Sequence, residues 1–359
     1  MQDLSLDFLI ELVNTPSPSG YEERVAELYR QRLAPIADSV TTDLHGNVIA
    51  AIHPEAPMRI MLAGHMDEIG FVIHYVNDEG LLFFKTVGGH DPTMMVGQRV
   101  WVHTANGPIA GVIGRKAIHL LTDEEKKRRP DVHDLWIDIG VSTREHAERL
   151  VELGDPVTYQ WEFQQLVGTL ATARGFDNKM GTFIVAEALR LIRESGRLDP
   201  NVGVFAVATV QEEIGLRGAK TAAYGINPQV GIAVDVNHAN DTPGILEQKY
   251  GRLYVGKGPS VMRGANASPV VFREILAAAK AENLPYQVDV EAGGTGTDGN
   301  AMQVNRAGMA VGIMGVPLRY MHSPCEVLDL MDIEHCAKLM AAFCLRVTAT
   351  SDFTPRPQG

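Results

Sequence analysis

Arg59-Ile60-Met61-Leu62-Ala63-Gly64-His65-Met66-Asp67 opens as an almost unbroken apolar run and closes on a histidine and an acid. A short run of this kind reads as a strand buried on both faces. Ligands of open α/β sheets bind at the carboxyl ends of such strands, so the ending His-Met-Asp marks a candidate site as well as a strand.

Upstream, Leu4, Phe8, Leu12 and Val13 recur at helical spacing. After the turn-rich segment 15–20, Ser19 and Glu22 have the spacing of a capping box for a second helix carrying Val25, Leu28 and Tyr29. His45-Gly46-Asn47, between Ser39–Thr42 and Val48–Ile52, predicts a hairpin. From about residue 71 to 163 the texture changes to short β runs (FVIHYV, LLFFKTV, QRVWVHT, PIAGVIG, LWIDIG, DPVTYQWEF), with one capped helix near Ser142 and Glu145. That spacing predicts a small β-barrel or sandwich inserted into the chain.

Beyond it, helices are expected at about 178–194, 268–282, 298–305 and from 333, and strands at about 202–210, 230–236, 286–290 and 309–314. The alternation argues for a helix-covered, largely parallel sheet. The expected organisation is α/β: a discontinuous catalytic domain of residues 1–69 and 164–359, interrupted by a β-rich domain of residues 70–163.

Composition narrows the function. The chain of 359 residues is 45% hydrophobic and 21% charged, near globular averages, which argues against wholesale disorder. A formal charge of -12, with no acidic tail, disfavours binding to nucleic acid. The cluster Lys126-Lys127-Arg128-Arg129 directly follows Asp123, Glu124 and Glu125, so local charges largely cancel. The first residues lack a basic start and apolar core, and no apolar run approaches the ~20 residues that span a bilayer, so a cytoplasmic protein without membrane contact is expected. Three cysteines without a CxxC suit a reducing compartment.

Five segments set acids or histidines where strands give way to loops: Gly64–Asp67, Gly175–Lys179, Gln211–Gly215, Val234–His238 and Tyr320–Pro324. Singly, each reads as a cap or turn former. Together they offer two imidazoles and several carboxylates, the N/O donor set of divalent zinc or cobalt, with a carboxylate available to bridge two ions. Neighbours in extended chain point opposite ways, so of Glu212 and Glu213 one carboxylate ligates while the other accepts a proton from water. Asp67, two residues after His65, returns to the same face and fixes the tautomer by accepting the other ring N–H. His238 reads as a loop histidine, and Gly293–Gly299 lacks the Lys-Ser/Thr of a phosphate loop.

GHMDEIGF, RGFDNKMG, QEEIGLRGA, AVDVNHANDTPG, GGTGTDGNAM and RYMHSPCEV occur in that order, and the set resembles the signatures of the M42 metalloaminopeptidases, which include tetrahedral and glutamyl aminopeptidases. The resemblance implies His65 and Asp235 on one metal, Glu213 and His322 on the other, Asp177 bridging, Glu212 as general base and Asp67 behind His65. It further implies two divalent ions per subunit (zinc or cobalt, with manganese a third candidate), short peptides as substrates, and a mixed-sheet catalytic domain. The inserted barrel or PDZ-like domain is then a dimerisation domain, with dimers assembling into a tetrahedral dodecamer. Two divalent ions against Asp177, Glu213 and Asp235 leave one positive charge for a bridging hydroxide to neutralise. One departure stands out: relatives often carry Thr at the position of Asn237, which bears on substrate contacts. The rival readings are a dimetal deacylase of N-acylated amino acids, a glycosidase, and a noncatalytic assembly protein.

Overall fold

The segment Met58–His65 is a strand of the main sheet with neighbours on both sides. The computed structural model describes residues 3–357, apart from the side chains of Asp3 and Leu4. Residues 1, 2, 358 and 359, at the ends of the expected catalytic domain, and the helical reading of the Leu4 side chain lie outside that description.

Two helices, α1 (Asp3–Asn14) and α2 (Glu23–Leu33), precede the strands β1 (Ser39–Thr42), β2 (Val48–Ile52) and β3 (Met58–His65). The barrel strands follow: β4 (Gly70–Val76), β5 (Leu82–Val87), β6 (Arg99–Thr104), β7 (Gly107–Arg115), β8 (Leu135–Asp138) and β9 (Pro156–Tyr159). Among them lie the short helices α3 (Pro92–Met95), α4 (Asp123–Lys127) and α5 (Arg144–Glu148). Next come β10 (Gln164–Gln165), β11 (Leu170–Ala173), α6 (Phe176–Ser195), β12 (Val202–Thr209), α7 (Arg217–Ile226) and β13 (Val230–His238). The chain ends with α8 (Glu247–Tyr250), β14 (Ser260–Gly264), α9 (Pro269–Ala281), β15 (Gln287–Glu291), α10 (Asp298–Gln303), β16 (Ala310–Leu318), β17 (Glu326–Asp329) and α11 (Leu330–Cys344).

Eight strands form the main sheet in the order β1-β2-β12-β3-β13-β16-β14-β15. The pairs β12–β3, β3–β13, β13–β16 and β14–β15 are parallel, while β1–β2, β2–β12 and β14–β16 are antiparallel. The expected α/β fold with a helix-covered mixed sheet and a separate β-rich barrel is the observed one. Strand alternation explains the continuous apolar runs. Ile60, Leu62, Val204, Ala206, Ile232 and Val234 pack with α1, α6, α9 and α11, whereas Met61, Ala63, Phe205, Val207 and Ala233 pack with α7 and α10. A strand covered on both faces has no polar face to show.

The six strands β4-β5-β8-β7-β6-β9 close into an antiparallel barrel around Phe71, Phe84, Val100, Val102, Ile113, Leu135, Ile137 and Val157. Closure leaves no unpaired edge. No helix among the described residues is long and apolar enough to cross a membrane.

Two local expectations change, and the structure adds elements. Ser19 and Glu22 form no capping box: α2 has no side-chain cap, and both side chains turn to other loops. The barrel helix α5 is capped by Thr143, which accepts from His146 N, and not by Ser142. The helix α7, directly after the Glu-Glu pair, and the strands β11, β14 and β17 carried no periodic signal long enough to be read.

Candidate metal centre

The parallel register builds the site. His65 ends β3 level with Thr209 of β12, and Ala63 pairs with Ala233 of β13, so Asp235 two residues on stands level with His65. Asp235 is itself level with Gly315 of β16, whose chain runs on to His322. Asp177 lies at the entry of α6, where it and Asn178 have non-helical angles. The Asn178 amide donates to the carbonyl of Val234 and accepts from Gly181 N, pinning this entry to β13. Glycine is required there: a Cβ at Gly64 would stand 2.4 Å from the Gly181 carbonyl carbon, and one at Gly181 would stand 2.3 Å from Asn178 Oδ1.

All seven sequence-selected residues come together. His65, Asp177 and Asp235 form one group able to hold a cation, and Asp177, Glu213 and His322 form a second. Asp177 belongs to both: Oδ1 is 3.3 Å from His65 Nε2, and Oδ2 is 3.2 Å from His322 Nε2. Asp235 Oδ1 is 3.7 Å from His65 Nε2, and Glu213 Oε2 is 3.5 Å from His322 Nε2. Glu212 Oε2 stands 3.7 Å from His65 Nε2.

Glu212 and Glu213 diverge, but not because they are extended. They sit in a turn after β12, where Gln211 has φ +54° and the N–H groups of Gly215 and Leu216 donate to the Glu212 carbonyl. Asp67 holds that turn. Its Oδ1 accepts from Glu212 N at 3.0 Å, and its Oδ2 accepts from Glu213 N at 3.2 Å and from Ser19 Oγ at 2.6 Å. His65 Nδ1 donates to the Asp67 main-chain carbonyl at 3.0 Å, with carboxylate Oδ1 at 3.3 Å. One acid therefore orients both the histidine and the paired glutamates, and this explains the diversion of Ser19 from its helix.

The electrostatics are those of crowded acids. Burial pushes the Glu212 carboxyl up to about 10, against the pull of His65 and with Asp235, Asp298 and Glu213 adding to it. Burial likewise raises Glu213, reinforced by Asp177, and raises Asp235. Asp177 moves down despite burial, because His322 and His65 hydrogen-bond its carboxylate. His65 rises despite burial, drawn up by Glu212 and Asp235, and His322 rises through its bond to Asp177. In addition, Glu213 Oε1 is buried without a hydrogen-bond partner. Bound divalent cations remove both the repulsion and the orphaned acceptor, and two imidazoles with three carboxylates suit zinc or cobalt. The residues fit a metal pair.

The sequence model described as M42 glutamyl aminopeptidase matches residues 46–339. The chain belongs to the M42 family. A lysyl aminopeptidase of Pyrococcus furiosus is 34% identical over 355 residues, covering 97% of this chain and 99% of the relative. The crystal structure of a TET aminopeptidase from Thaumarchaeota archaeon SCGC AB-539-E09 superposes with TM-score 0.92 at 33% identity, covering 97% of each chain. The Pyrococcus horikoshii TET1 peptidase, described as able to assemble into a tetrahedron or a large octahedral shell, superposes with TM-score 0.85 at 32% identity, covering 96% of this chain and 100% of the other.

In this M42 chain two buried acids near the centre escaped the sequence reading. Glu326 Oε2 accepts from Asp177 N at 3.0 Å and Oε1 accepts from His322 N at 3.1 Å, so one carboxylate ties both of these residues. Burial, with Asp177 adding, raises its pKa well above the usual range. Asp298, at the start of α10, accepts from Thr209 Oγ1 and leaves Oδ1 buried without a partner, and burial raises it to about 7. Both lie inside segments already quoted, RYMHSPCEV and GGTGTDGNAM, but only their burial distinguishes them from loop acids. A cleft of about 630 Å³ opens on the centre, lined also by residues 294–297.

Proposed function

We propose that this chain is a dinuclear-metal aminopeptidase that removes N-terminal residues from short peptides. One observation carries the reading: a single buried carboxylate, Asp177, directs its two oxygens at two histidines, each within its own cation-holding group, beside Glu212, which belongs to neither group. In this reading His65 and Asp235 would hold one ion and Glu213 and His322 the other, with Asp177 belonging to both groups. When bound, the two ions lower the pKa of the attacking water and act as Lewis acids toward the scissile carbonyl.

The chain's own groups do the rest. Glu212 accepts the proton of the attacking water and returns it to the leaving amine. Asp67 fixes the ring of His65 and, through its two main-chain bonds, the divergence of Glu212 from Glu213. Glu326 holds the backbone on which Asp177 and His322 stand. The cleft of about 630 Å³ accommodates a peptide end.

Residues 1–69 and 164–359 act as the catalytic domain and 70–163 as the dimerisation domain. Exposed apolar side chains on the barrel, including Tyr75, Val112, Ile118 and Leu120, support an interface there. The TET relatives support a tetrahedral dodecamer built from such dimers.

The decisive experiment compares free-amine and N-acetylated peptides in protein stripped with chelator and reloaded with zinc, cobalt or manganese. Hydrolysis of free-amine substrates alone, restored by metal, is expected. Equal or faster cleavage of acetylated amino acids would favour the deacylase, which the aminopeptidase relatives disfavour. Activity on glycosides that survives chelation would favour a glycosidase, whose chemistry needs two carboxylates and no histidine-bound metal.

A further inference from the structure

The far wall of the cleft carries two acids that take no part in the metal groups, Asp289 and Glu291, both on β15. Their spacing of two turns both toward one face of the strand. No lysine or arginine lines this cleft, and neither carboxylate has an ion-pair partner among the described residues. Asp289 is held in place: its Oδ2 accepts from Asn237 Nδ2 at 2.8 Å. Glu291 Oε1 accepts from Gly293 N at 3.0 Å. Each acid thus keeps a second oxygen to which no described residue donates.

The Asn237 amide spans from β13 to β15. Gly315 makes room for it, since a Cβ there would stand 3.0 Å from Asn237 Cβ and 2.7 Å from Ser260 Oγ. Threonine, one atom shorter and without an amide, does not make this bond. Met321, half-buried, adds apolar surface to the cleft.

We infer that Asp289 and Glu291 select substrates whose N-terminal side chain is cationic, lysine or arginine, with Asn237 as the residue that positions Asp289. The inference rests on the aminopeptidase reading, which establishes the cleft as a substrate site independently of these acids. A long aliphatic stem lies along Met321 and its charged head reaches the carboxylates. An acidic side chain meets repulsion from both carboxylates, and no lysine or arginine lines this cleft to offset it; Lys249, Arg252 and Arg319 line an adjoining cavity. An apolar one covers two charged groups without pairing them, and leaving such groups unpaired is what makes a polar site selective.

The test uses the metal-loaded full chain with para-nitroanilides of lysine, arginine, norleucine and glutamate. Norleucine reproduces the lysine stem without the charge. Wild type is expected to favour lysine and arginine over norleucine in kcat/KM, chiefly through KM, and to turn over glutamate least. In Asp289→Asn and Glu291→Gln the lysine-to-norleucine ratio falls on the order of tenfold each, the scale of a charge-assisted bond weakened by partial exposure. Asn237→Thr lowers the ratio by less. As a readout without turnover, lysine amide raises the unfolding temperature of metal-free wild type more than norleucine amide does, and the difference shrinks in the double variant.

A wild-type preference for norleucine or glutamate, or a ratio unchanged in the double variant, overturns the inference and leaves the aminopeptidase reading intact. Equal losses on all four substrates also overturn it, because the acids would then be gripping the α-amine. No turnover of any free-amine substrate removes the aminopeptidase reading and this inference with it.

Discussion

Glu212 and Glu213 are neighbours in sequence yet face different histidines, and Asp67 fixes that divergence by accepting both of their main-chain N–H groups. Their substitution therefore has opposite signatures. Glu212→Gln preserves shape but accepts no proton, so both metals are expected to stay while kcat falls by roughly 10² to 10⁴. Glu213→Gln replaces an anionic ligand with a neutral amide and is expected to lose one metal, since affinity depends on ligand charge. Metal content by mass spectrometry, read beside steady-state kinetics, separates the two, and a Glu212→Gln protein lacking a metal would exchange the roles.

At the scale of elements, the junction between β3 and β4 is tied to the entry of α6 by a buried ionic cluster. Glu68 meets Arg174 Nη1 at 2.6 Å and Lys179 Nζ at 2.7 Å, and it also accepts from Ser17 N. Burial alone would raise the Glu68 carboxyl, but the two cations outweigh it and hold it at about 2. Burial pushes Lys179 down only to about 8, so all three groups are charged at neutral pH. Glu68→Gln leaves two cations buried without their anion and is expected to cost about 3–5 kcal/mol in urea denaturation. The sign with pH follows from a folded pKa below the unfolded one. The Glu68 contribution, on the order of 3 kcal/mol, is complete above the ordinary carboxyl value of 4.5 and is lost as pH falls toward about 2. Denaturation curves across that window should be flatter for Glu68→Gln than for wild type, and identical slopes would refute the assignment.

For the whole molecule, the ions of the proposed centre would also neutralise acids that otherwise repel, which links metal to stability. Chelated protein is expected to unfold at lower temperature in calorimetry, with restoration by excess zinc or cobalt, because a ligand of the native state shifts unfolding by mass action. An unfolding temperature insensitive to chelator would count against a built metal centre. The exposed apolar side chains of the barrel bear on assembly. Light scattering is expected to give a dodecamer that Ile118→Asp and Leu120→Asp reduce, since a charge at each of these exposed positions breaks an apolar interface. A monomer at every protein and metal concentration removes both the dimer and the shell.

The α/β alternation, the β-rich segment and the seven residues that gather in the candidate centre were legible in the sequence because each rests on local information. Strands buried on both faces read as continuous apolar runs, and acids or histidines at their ends are visible without knowing their neighbours. The bonds that Asp67 accepts from Ser19 and from the Glu212 and Glu213 main chain, and those of Glu326, were not legible, since a serine at an N-cap spacing and an acid in a loop have the same local pattern whether they cap, solvate or reach across the chain. Ser19 bonds Asp67, 48 residues away, and Glu326 bonds Asp177, 149 residues away. Likewise Asn237 showed only as a departure from a family pattern until β15 came beside it with Asp289. Sequence determined which residues stand at the ends of strands. The tertiary structure decided which of them share a hydrogen-bond acceptor, because a hydrogen bond depends on separations of about 3 Å that strand register and loop path set only once the sheet is assembled.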